Sequence, residues 1–207
     1  MTVKAESLKL FTDKAEIASA VVSEISSFDD AVKYIMDLCG KKEACKMLVS
    51  GCEQGLSGKA EALCATKTGK TISAPSLSEE ELAVLDAQCE ENGFVLVKDS
   101  VRNHLGGMDI ALTYADYGIA ETGTLAVNCP SEQLRLATMI SEVHVAILPK
   151  SRIVENSYDI EGWMEENMMK GDYTAFITGA SRTADIERVL AIGVHGPLEL
   201  HILLLED

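Results

Sequence analysis

A carboxylate set among hydroxyls and a glycine is the first place where this sequence could do chemistry. Glu121 stands in Ala120-Glu121-Thr122-Gly123-Thr124, at the start of an apolar run. A glutamate there can act as base, nucleophile or hydrogen-bond acceptor. Gly123 lacks a side chain and would let a ligand come close to the backbone. The same residues serve equally well if Glu121 only accepts hydrogen bonds from loop amides and from the hydroxyls of Thr122 and Thr124, and both readings stay open.

A second polar segment, Thr178-Gly179-Ala180-Ser181-Arg182-Thr183-Ala184-Asp185-Ile186-Glu187, also follows an apolar run and reads as the start of a helix. Ser181 or Thr183 is its candidate N-cap. Arg182 is available for an anion, and Asp185 adds a further polar contact. A small carboxylate or phosphate suits such a segment, and helix capping alone is the alternative.

Four histidines occur in the chain. His195, between Gly193 and Gly196, lies in a turn ahead of the last apolar run and is the candidate for proton transfer beside Glu121. His144 and His201 fall inside apolar runs, where histidines are packed and hydrogen-bonded. No H-x-H or H-x3-H spacing links His144, His195 or His201 into a metal site, so none is expected. The six cysteines, Cys39, Cys45, Cys52, Cys64, Cys89 and Cys129, include no C-x2-C pair, and packed thiols are expected rather than a zinc or iron-sulfur site.

These residues need elements to position them. Leu8, Phe11, Ala15, Ala18, Val22 and Ile25 recur at three- and four-residue steps, which predicts one amphipathic helix through Ile25. Its stripe covers the domain's own sheet or, alternatively, forms a seam with a second copy. A second helix is expected from Ser27 toward Gly40, and a short strand over Ala44 to Val49. Residues 50–77 read as turns around one short helix, Lys59 to Ala65.

From Ser78 the pattern is regular. Ser78 and Glu81 form a capping box, and the helix they open stops at Asn92-Gly93. Phe94 to Val97 reads as a buried strand. Further strands are expected at Thr124 to Val127, Val143 to Leu148, Tyr173 to Ile177 and Leu200 to Leu205, with helices at Ser131 to Ile140 and Tyr158 to Met169. Short apolar strands alternating with helices call for crossover connections. The fold class is therefore α/β, a mostly parallel sheet with flanking helices. With 207 residues and no linker, one domain is expected over 1–207, in which 1–74 is largely helical and 75–207 carries the polar motifs.

Composition removes several function classes. Eighteen Lys and Arg against 33 Asp and Glu give a formal charge of -15, which repels nucleic acid and anionic lipid. No apolar run approaches the roughly 20 residues needed to cross a bilayer. The start, Met1-Thr2-Val3-Lys4, has no secretory character, so a cytoplasmic location is expected. There is no phosphate-binding G-x-x-x-x-G-K-[ST] loop, no G-x-G-x-x-G after a strand and no G-x-S-x-G elbow.

Taken together, Asp116 through Thr124, Val143-His144-Val145-Ala146-Ile147, Ser181 through Glu187, and Gly193-Val194-His195-Gly196-Pro197 with Leu200-His201 resemble the LUD (lactate utilization) domain family. The likeness runs over roughly residues 75 to 207 in the family's order. It departs at Ala180, where the family often has proline, and at Leu198, where a basic residue is common. The resemblance implies a fold similar to the glucosamine-6-phosphate deaminase, ribose-5-phosphate isomerase and CoA-transferase group. It also implies a part in oxidising L-lactate to pyruvate beside partner subunits that carry the iron-sulfur clusters, with no cofactor on this chain. The competing expectation is a stand-alone enzyme acting on a small carboxylate or sugar phosphate, with Glu121 as base or nucleophile.

Overall fold

The computed structural model describes residues 5–42, 69–104, 107–180, 182–183, 191–192 and 196–207. In chain order its elements are α1 (Ala5–Ile17), β1 (Ala20–Ile25), α2 (Phe28–Lys41), β2 (Thr71–Ser73), α3 (Glu79–Asn92) and β3 (Val95–Leu96). After a 3-10 turn at Val101–His104 come β4 (Met108–Tyr114), β5 (Tyr117–Ile119), β6 (Thr124–Cys129), α4 (Glu132–Ile140) and β7 (Ser141–Pro149). The chain ends with β8 (Ile153–Val154), α5 (Glu161–Lys170), β9 (Tyr173–Ile177), β10 (Arg182–Thr183), β11 (Ala191–Ile192) and β12 (Glu199–Leu205).

Six strands form a wholly parallel sheet in the order β1-β12-β7-β4-β2-β3, which confirms the α/β class. Because successive strand residues point to opposite faces, β4 and β7 feed two cores. Ile110, Leu112, Val143 and Val145 pack against α2 and α3 through Ile35 and Leu85. Ala146 and Leu148, from the alternate positions of β7, meet Phe11 of α1, Leu125 and Val127 of β6, and Leu134 of α4. That second face is therefore covered partly by another sheet, β8-β5-β6-β9, in which only the β5–β8 pair is parallel.

The helix boundaries follow from local chemistry. Ser27 accepts the Asp30 amide and opens α2, and Ser131 does the same for Leu134 in α4. Ser78 and Glu81 exchange both bonds of a capping box, and Gly93 closes α3 in the left-handed conformation at φ 71°. Glu81 also accepts the Tyr114 hydroxyl at 2.5 Å, tying the start of α3 to the carboxyl end of β4. At the opposite end of the sheet, Lys42 Nζ lies 3.0 Å from Asp109 Oδ1 and 3.0 Å from Glu142 Oε2. Asp109 Oδ2 accepts the Thr71 amide at 2.7 Å. Burial pulls the Lys42 ammonium down, but Asp109 and Glu142 outweigh it and hold its pKa above the usual value.

Several sequence expectations are corrected. The first helix ends at Ile17, and Ala20–Ile25 is an edge strand paired in parallel with Leu200–Leu205. Val22 and Ile25 happen to continue the helical period, but the backbone ladder with the apolar β12 decides the conformation. Thr71–Ser73, expected among turns, is a buried strand of the sheet. Phe94 to Val97 shortens to a two-residue edge strand in which Val95 is exposed and Leu96 buried. Arg182–Thr183 do not begin a helix: they pair antiparallel with Ile192 and Ala191. The expected strand Ala44 to Val49, the helix Lys59 to Ala65, and Ser181, Asp185 and His195 lie outside the described residues.

Candidate functional site

The loop that carries Glu121 joins β5 to β6. Ile119 accepts the Gly123 amide at 2.9 Å across the turn, and the Glu121 amide donates to Glu155 at 3.0 Å, extending the β5–β8 pairing. The Glu121 side chain is exposed, and its Oε1 accepts the Ser157 amide at 3.1 Å. Ser157 opens a 3-10 turn, Ser157–Ile160, whose capping residue is Asn156. Glu121 thus holds one loop against the next.

Gly123 sits at φ 66°, and its missing side chain is used by the protein itself. A Cβ there would stand 2.6 Å from the Lys14 carbonyl carbon and 2.8 Å from Ala15 Cα, at the end of α1. Gly179, at φ 73°, meets the backbone of Ala18 in the same way. The two motif glycines receive the α1–β1 junction. Between them runs a chain of hydroxyls, Thr122 to Thr124 at 2.7 Å and Thr124 to Thr178 at 2.6 Å. Thr122, Gly123 and Thr124 are therefore brought together, with Thr178 added, while Glu121 points to Ser157.

The two described strand histidines are packed. His201 is held by the Tyr34 hydroxyl at 2.7 Å and by Glu199 at 2.8 Å. His144 Nε2 meets Thr113 Oγ1 at 2.8 Å, its Nδ1 is buried with no partner, and burial pushes its pKa down to about 4. Among the described residues no three His, Cys, Asp or Glu side chains gather as metal ligands. Cys39, Cys89 and Cys129 are buried thiols, and burial raises Cys89 to about 12 and Cys129 to about 11.

Sequence motifs gave no sign of a third location. β2 and β3 are neighbours, but the chain leaves them toward opposite faces of the sheet. After β2 it enters α3, which packs with Ile110 and Leu112, and after β3 it enters the 3-10 turn, whose Val101 packs with Ala111 and Ala137. Adjacent connections that diverge in this way open a crevice beyond the carboxyl ends of a parallel sheet, the place where such folds bind ligands. A cavity of about 470 Å³ occupies it, within the size range of small-molecule sites. None of Glu121, Thr122, Gly123 or Thr124 borders it. The sequence signals nearby, Ser131, the capping box at Ser78 and Glu81 and the strand Phe94 to Val97, read as helix ends and a buried strand and not as a site.

A parallel sheet with a crevice at its strand ends defines an α/β domain able to hold a small molecule. The LUD domain family model matches residues 8–205, and the chain belongs to that family. A solved DUF162 family protein from Deinococcus radiodurans shares the fold, with a TM-score of 0.58 over 97% of both chains at 18% identity. Over 103 residues the chain is 33% identical to lactate utilization protein C of Halalkalibacterium halodurans, a stretch that is 48% of this chain and 45% of that protein. It is 30% identical over 103 residues to the protein of the same name from Bacillus subtilis, covering 48% of this chain and 43% of that one. The aligned stretch is thus less than half the length of these curated relatives. No helix among the described residues is long and apolar enough to cross a membrane.

Proposed function

We propose that the chain takes part in lactate utilization, as a subunit of a system that oxidises L-lactate to pyruvate beside partner subunits carrying iron-sulfur clusters. The observation that carries this reading is the similarity to proteins named lactate utilization protein C, within a family match that runs over 8–205. The geometry of Glu121 supports an accessory part. The carboxylate that residue chemistry singles out is exposed and bonded to the Ser157 amide, so it acts here as a positioning residue.

Deleting the gene and comparing growth on L-lactate with growth on pyruvate tests the proposal. A defect on L-lactate alone, repaired by the wild-type gene, is the expected result, with iron-sulfur proteins recovered alongside the tagged chain. Normal growth on L-lactate in a strain with no duplicate gene would sink it.

A further inference from the structure

β9 ends the second sheet, and among the described residues it pairs on one side only, with β6. Its other side carries the N–H and C=O groups of an edge, a template for another strand. Native edges are blunted by charge, proline or a bulge. Tyr173-Thr174-Ala175-Phe176-Ile177 has no charged residue and no proline, and its register with β6 runs unbroken from Leu125 opposite Ile177 to Cys129 opposite Tyr173. Two of its side chains are large and half exposed, Tyr173 at 48% on one face of the sheet and Phe176 at 47% on the other.

The two ends of this edge match each other. At its start, the last turn of α5 presents Met168, 72% exposed, and the exposed Lys170. At its finish, Gly179 rests against the backbone of Ala18, next to Ile17, 76% exposed, and the exposed Glu16. Each end therefore offers one apolar side chain and one charge, and the charges are opposite. A formal charge of -15 makes two copies repel each other in general, so a contact between them belongs where cation meets acid. Asp172, just before the strand, already accepts Asn128 Nδ2 at 3.0 Å.

We propose that β9 is the seam of a homodimer, in which the edges of two copies pair antiparallel about a two-fold axis at Ala175 and join their four-stranded sheets into one. Under a two-fold axis every contact occurs twice. Tyr173 comes opposite the partner's Ile177, and Thr174 opposite the partner's Phe176, so both faces gain cross-strand pairs. The same rotation exchanges the two ends of the strand. It brings Met168 toward the partner's Ile17 and Lys170 toward the partner's Glu16. The inference is independent of the lactate reading, since it concerns a contact between copies and involves no ligand.

Sedimentation velocity of the full chain, at concentrations up to about 0.2 mM, should show reversible conversion of monomer to a species of twice the mass. Phe176→Lys puts a charge on the edge and should weaken the dimer at least roughly tenfold. Ile17→Glu, at a residue too exposed to matter for folding, should weaken it as well. Lys170→Glu should weaken it roughly threefold, and adding Glu16→Lys should restore it, because the pair is then reversed and intact. Circular dichroism checks that each variant is folded. The proposal is overturned if the chain stays monomeric throughout, which would leave the edge to a strand of a different protein. It is also overturned if a folded Phe176→Lys or Ile17→Glu protein dimerises as tightly as wild type, or if Glu16→Lys does not restore what Lys170→Glu removes.

Discussion

The imidazole of His144 and the hydroxyl of Thr113 form a buried pair, Nε2 to Oγ1 at 2.8 Å, that links β7 to β4 inside the domain. The folded protein keeps this ring neutral down to a pKa of about 4, against 6.5 for an unperturbed histidine. Between those values the unfolded chain binds more protons than the folded one. Stability therefore falls as the pH drops from 6.5 toward 4, by at most about 1.4 kcal/mol per pH unit, and above 6.5 this group has no effect. Urea midpoints at pH 7.5 and pH 5 should differ in the wild type and differ less in His144→Gln. Equal differences in the two proteins would rule this account out.

Lys42→Met should be among the most damaging substitutions at the amino-terminal end of the sheet. It removes the ammonium that lies 3.0 Å from the carboxylate of Asp109, which is 0% exposed. Breaking such a pair from one side costs about 3–5 kcal/mol. Adding Asp109→Asn to Lys42→Met should recover part of that loss. A double-mutant cycle by chemical denaturation measures it, and simple additivity would contradict the coupling.

Two glycines should respond with opposite sign to alanine. Gly123→Ala places a Cβ against the backbone of α1 at a left-handed position, which costs about 1–3 kcal/mol from backbone conformation alone. Gly162 lies in α5, and a Cβ there meets nothing within 4 Å, so Gly162→Ala should stabilise by about 0.5–1 kcal/mol. Thermal melts of the two variants decide both signs.

Glu121→Gln keeps an oxygen that can accept the Ser157 amide and removes the charge. Its stability should stay within about 0.5 kcal/mol of wild type. It should also restore growth of the deletion strain on L-lactate. Failure of a well-folded Glu121→Gln protein to restore growth would return this carboxylate to a chemical role.

Much of the fold was legible because its signals are local. Ser27, Ser78 with Glu81, Gly93 and Ser131 mark helix ends through hydrogen bonds made within a few residues. β1 was hidden because its apolar residues continue the spacing of α1, and only its partner β12, far away in sequence, makes it a strand. β4 was hidden because Asp109 interrupts its apolar run, and the lysine that balances that charge comes from the end of α2. β5 and β8 have three and two residues, too few to show any period, so of the second sheet only β6 and β9 were legible, as strands without their partners. In the site, hydroxyl and glycine spacing at 121–124 pointed to a junction whose partner was not legible, since the backbone that Gly123 accommodates belongs to α1, far away in sequence. The cavity was illegible in principle, because it arises from two connections leaving neighbouring strands on opposite sides.

The place of β12 in the sheet has a consequence for synthesis on the ribosome. Residues 20–25 pair with residues 199–205, which in turn pair with β7. As the chain emerges, β1 waits on the order of ten seconds or more for its neighbour to be made. A product cut short before residue 199 would present two raw strand edges, β1 and β7, and such edges recruit other chains. Quality control of this protein therefore turns on its last strand, which no earlier segment can replace in the ladder.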